Sequence, residues 1–153
     1  MAVSVCLLGS TSLLADWRKE GSADTQLANL VGLVPGTSHW MFEIGERYKN
    51  LYWAAKLDHW DFAQYQVEEI EKLVQIVQLA RPKRADTAQE FLNNGIPAIQ
   101  TGVESKNWET FQQTFGEMQQ SCMVCHAKND HAFITLPSQP KTASSPVLNL
   151  PAN

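Results

Sequence analysis

Two cysteines and a histidine stand close together late in the chain, as Cys122-Met123-Val124-Cys125-His126. A C-x-x-C-H run sets two thiols about one helical turn apart with an imidazole beside them. Each thiol can bond covalently to a haem vinyl group, and the histidine can then reach the iron from the proximal side. The spacing therefore reads as an attachment site for one haem c, with Cys122 and Cys125 as anchors and His126 as proximal ligand. Two other chemistries use similar spacing. A dithiol redox pair belongs at the start of a helix after a strand in a βαβ setting, and a zinc site needs a further pair of ligands. Neither context is found, and Cys6 lies more than a hundred residues away in an apolar stretch.

The elements that must position this motif are helical. Trp108, Phe111, Phe115, Met118, Cys122 and Cys125 recur at steps of three and four, which places both thiols on or beside the buried seam of a helix that Asn107 can cap. That helix runs to Lys128 or Asp130. Before it, Met41, Ile44, Tyr48, Leu51 and Ala55 mark a helix from Thr37 to about Leu57, with Thr37 or Ser38 as cap and Asn50 among the residues turned away from the core. Ala63, Val67, Ile70, Val74 and Val77 mark a second, capped by Asp58 or Asp61 and ending near Ala80. Glu68, Glu69, Glu71 and Lys72 form its solvated face. Pro82 separates it from a third helix with Ala85, Ala88, Leu92, Ile99 and Val103 inward. Asn93-Asn94-Gly95-Ile96-Pro97 predicts a kink or break in that helix, because Pro97 lacks an N–H and crowds the carbonyl four residues back. Arg81, Lys83 and Arg84, in the preceding turn, are solvated charge that can steer an acidic partner or meet haem propionates.

Four helices of similar length with short connections imply an all-α, antiparallel up-down-up-down bundle over residues 37–133. Residues 1–23 begin with an apolar run too short to span a bilayer, which fits the core of a secretory signal peptide although a positive start is missing. Residues 24–36 read as a linker arm with a weak amphipathic piece from Thr25 to Val34, closed by Pro35-Gly36. Residues 134–153, rich in proline and serine, read as a disordered tail. The chain has 153 residues, 44% apolar, with a net charge of -4. That is one domain's worth of sequence, without the basic surface that nucleic acid requires and with no stable membrane span expected in the mature chain. Haem c attachment takes place outside the bacterial cytoplasmic membrane, so the motif and the leader together place the protein in the periplasm.

The late C-x-x-C-H and the helix count resemble the cytochrome c-prime group of class II c-type cytochromes over residues 37–133. The likeness is architectural: Met118 stands where members often carry a basic residue ahead of the motif, and the leader arm is longer. The resemblance implies that Cys122 and Cys125 hold the haem, that His126 ligates the iron, and that the opposite iron face looks onto the first helix. It also brings pairing of two bundles through their first helices into view.

Antiparallel first and fourth helices would set the start of one level with the end of the other, which makes Met41 the best placed sixth ligand. Its plain alternative is a flexible core filler. His39 lies two positions away, about 200° around the helix and toward its polar side. His59 is expected exposed in a turn at the other end, and His131 on the surface near the haem edge. Tyr48, Trp53, Phe111 and Phe115 either line a haem pocket or pack the core, while Trp40 and Phe42 flank Met41 and either shield the iron or simply pack. Methionine ligation implies an electron carrier serving redox protein partners, not an enzyme. Without it, a five-coordinate protein binding NO or CO is implied. A peroxidase reading is weakest, since no distal histidine-arginine pair is found, although Arg47 is present.

Overall fold

The computed structural model describes residues 21–141. The apolar leader with Cys6 and the last twelve residues lie outside the described residues, and so do the expectations placed on them. Five helices and a 3-10 turn make up the described chain, with no strand among those residues. They are α1 (Ala23–Leu33), α2 (Thr37–Lys56), α3 (Trp60–Ala80), α4 (Ala85–Glu104) and α5 (Trp108–Lys128). No helix among the described residues is long and apolar enough to cross a membrane.

α1 belongs to a unit separate from the one that begins at Gly36. Ser22 caps it by accepting from the Thr25 amide, and the helix buries no residue. The arm expected over 24–36 thus contains a regular helix whose Leu27, Leu30, Val31 and Leu33 are exposed.

The second unit is an all-helical bundle. α2 packs on α3, α3 on α4 and α4 on α5, while α5 approaches α2 much less closely. Its core collects the apolar stripes: Leu51, Ala55, Ala63, Val67, Ile70, Ile99, Val103, Phe111 and Phe115 are all buried. Aromatic rings fill the space between α2 and α5, with Tyr48 and Phe115 at 4.5 Å between centroids and Tyr52 and Trp108 at 5.4 Å. Asn107 caps α5 as expected, its side chain accepting from the Thr110 amide at 3.0 Å.

Several local expectations are corrected. α4 runs unbroken through Pro97. One absent N–H removes a single ladder bond from a helix otherwise held by packing on both neighbours, so no break results. Gly36 rather than Thr37 or Ser38 precedes α2, without a side-chain cap. His59 precedes α3, again without one; Asp58 adopts φ 59° in the turn, where its side chain caps nothing, and Asp61 falls inside the first helical turn. Asn50 is buried rather than solvated, and its Oδ1 has no partner. His59 is half-buried, with its Nε2 enclosed and unpartnered.

The described part of the tail, up to residue 141, departs from a loose chain. Residues 131–141 form no helix or strand, but they lie against the bundle and Pro140 is buried.

Candidate functional site

A cavity of about 650 Å³ opens where the start of α2, the end of α3, the start of α4 and the end of α5 meet. This volume lies within the range of small-molecule and cofactor sites. α5 contributes Cys122, Cys125 and His126, α2 contributes Met41, and Ile44, Val74, Val77, Ala88 and Phe91 supply apolar walls. The helical step explains the α5 set, since positions 122, 125 and 126 fall on one face. Arg84 comes to the same cavity from the turn before α4, and no ion pair engages it among the described residues.

The three motif residues are half-buried. Cys122 packs against the main core, and burial pushes its thiol up to about 12, with the neighbouring Cys125 adding to the effect. Such a thiol stays protonated at neutral pH, unlike the low-pKa cysteine of a dithiol oxidoreductase. His126 Nδ1 donates to the Ile134 carbonyl at 3.1 Å. A carbonyl oxygen can only accept, so Nδ1 carries a proton, and Nε2 is the nitrogen that the neutral ring can offer a metal, the arrangement typical of a metal-ligating histidine. Asn129, one turn beyond Cys125, donates to the Cys125 carbonyl and to Thr87 Oγ1, both at 2.8 Å, and so ties the end of α5 to α4.

Met41 lines the cavity and also packs against the small cluster of Trp40, Leu73 and Val77. His39 is exposed and does not border the cavity. His131 does border it, half-buried, its Nδ1 donating to the Asn129 carbonyl.

The aromatic residues divide. Tyr48, Trp53, Phe111 and Phe115 belong to the core and its edge and do not line the cavity. Trp40 is buried with the Arg81 guanidinium 5.0 Å from its ring centre, whereas Phe42 borders the cavity but is 74% exposed. Phe91 is a cavity residue that the periodicity did not single out, although its position three residues after Ala88 carries the signal. Arg47 stands outside the cavity, paired with Glu43 at 2.7 Å and with Glu69 at 3.6 Å.

The residues present fit a covalently attached haem. Both thiols and a histidine with its outer nitrogen already engaged share one apolar cavity, and a cationic side chain stands on its lining. Comparison with family models, curated proteins and solved structures finds no match.

Proposed function

We propose that this chain is a periplasmic monohaem c-type cytochrome that carries single electrons between protein partners, its bundle running antiparallel, up-down-up-down, in the manner of the cytochrome c-prime group. The observation that carries the reading is the convergence of Cys122, Cys125, His126 and Met41 on one cavity. A second observation supports it: His126 Nδ1 is engaged by the Ile134 carbonyl at 3.1 Å, which leaves Nε2 as the nitrogen available to a metal.

Haem c, when bound, supplies a one-electron iron couple whose potential the protein sets through ligands, burial and nearby charge. Cys122 and Cys125 would fix it through thioether bonds, each thiol adding across a vinyl group. His126 would offer Nε2, the ring nitrogen that the Nδ1 bond to the Ile134 carbonyl leaves free. Ile44, Val74, Val77, Ala88 and Phe91 exclude water, and Arg84 would supply a positive charge to pair with the group's carboxylates. Met41 offers a thioether from the opposite helix, a ligand that favours the ferrous state.

The packing of Met41 against Trp40, Leu73 and Val77 favours a second reading, in which the thioether stays in that cluster and the iron is left five-coordinate for NO or CO. A reduced spectrum with and without CO separates the two. The electron carrier is expected to show a six-coordinate spectrum and no prompt CO binding, with Met41→Ala admitting CO. Prompt CO binding by the unaltered chain would favour the gas-binding protein.

A further inference from the structure

The stretch after α5 is attached to the bundle in an unusual way. Four of its backbone carbonyls accept hydrogen bonds from side chains of α2 or α5. The Ile134 carbonyl takes one from His126 Nδ1 at 3.1 Å, and the Leu136 carbonyl takes one from Gln119 Nε2 at 2.6 Å. The Pro137 carbonyl takes one from the Tyr48 hydroxyl at 2.7 Å, and the Pro140 carbonyl one from Trp53 Nε1 at 3.1 Å. Tyr48 and Trp53 stand on α2; Gln119 and His126 stand on α5. The segment therefore spans α2 and α5, which approach each other less closely than the sequential helix pairs of the bundle do. Ile134 and Leu136 also line the cavity. Pro137 and Pro140 have restricted backbones, which lowers the entropy lost when the segment is held extended.

We propose that residues 131–140 form a positioning strap, anchored by Tyr48, Trp53 and Gln119, which holds the Ile134 carbonyl on His126 and thereby fixes the orientation and proton of the imidazole. The effect on iron rests on the haem reading above; the attachment of the strap does not. Tyr48 is then a positioning residue for the iron ligand although it does not touch the cavity. An imidazole whose Nδ1–H is held by a carbonyl is a more basic ligand and favours ferric iron. Loosening the strap should therefore raise the midpoint potential.

The test uses the full-length chain, the double variant Tyr48→Phe/Gln119→Ala and, separately, Trp53→Phe. None of these substitutions alters a cavity-lining residue. Three quantities are read: chymotryptic cleavage after Phe133, the ¹⁵N resonances of the His126 ring, and the midpoint potential. Loss of two anchoring hydrogen bonds is expected to speed cleavage by about tenfold, because cutting tracks the population of the opened segment. The Nδ1–H form of His126 should lose its dominance, and the potential should rise, with Trp53→Phe giving smaller changes in the same directions. Unchanged cleavage in both variants would overturn the strap. Faster cleavage with an unchanged His126 ring and unchanged potential would overturn its coupling to the ligand. A chain carrying no haem would sink the function proposed above, while cleavage and the ring resonances would still decide on the strap.

Discussion

Gly102 on α4 lies so close to Thr114 on α5 that a Cβ placed on the glycine would overlap the threonine hydroxyl and stand 3.1 Å from the threonine Cβ. Phe111 Cα would be only 3.2 Å away, so backbone as well as side chain would have to move. Seven residues earlier on the same helix, Gly95 faces Ser121, whose Cβ would lie 3.2 Å from an added methyl. Two glycines on one face thus let α4 and α5 approach closely, and the helix carrying the cysteines is seated by that approach. Gly102→Ala is predicted to cost about 1–3 kcal/mol by overpacking. Chemical denaturation of the purified variant measures it, and a loss below a few tenths would show that the interface yields freely.

The turn between α4 and α5 makes the opposite prediction. Lys106 has φ 48°, a left-handed conformation in which a side chain is strained and glycine is not. Its amide donates to the Val103 carbonyl at 3.1 Å, closing the end of α4. Lys106→Gly should stabilise the fold by roughly 0.5–1 kcal/mol, the relieved strain being partly offset by the greater freedom of glycine in the unfolded chain. A lower melting temperature than the parent would contradict it.

Tyr48 gives the alkaline behaviour a sign. Burial raises its hydroxyl pKa, with the nearby Cys122 and Tyr52 adding to the effect, and the hydroxyl donates to the Pro137 carbonyl. The folded protein keeps this proton at pH values where the unfolded chain, titrating near about 10, has lost it. Tyr48 therefore contributes stability that is fully present below about pH 10 and is lost as pH rises through its raised folded value. Stability measured from pH 8 to 11.5 should fall more steeply above pH 10 in the parent than in Tyr48→Phe. Identical slopes would show that this hydroxyl does not carry the effect.

Much of the bundle was legible in the sequence because its signals are periodic. The apolar stripes of α2, α3 and α5 lie where their spacing put them, Asn107 caps α5, and the motif stands on the seam facing a cavity that Met41 shares. Features without a period were missed. Gly95 and Pro97 read as an interruption, since a glycine that serves close packing has the same local signature as one that breaks a helix. The strap was hidden because its acceptors are main-chain carbonyls, which no residue type announces, and its two prolines with Ser138 between them have the composition of a loose tail. Asn50 lies off the apolar stripe of its helix and His59 in a turn, so spacing points both to solvent, whereas packing buries Asn50 and encloses the His59 Nε2.

Covalent haem on Cys122 and Cys125 is open to a direct test by intact-mass measurement. The full-length chain is produced with a periplasmic haem c attachment system, denatured, stripped of loosely held haem with acidified organic solvent, and weighed. The expected mass exceeds that of the polypeptide by one haem, and falls to that of the polypeptide alone when both cysteines are replaced by alanine. A parent chain carrying no added mass under the same conditions would contradict it.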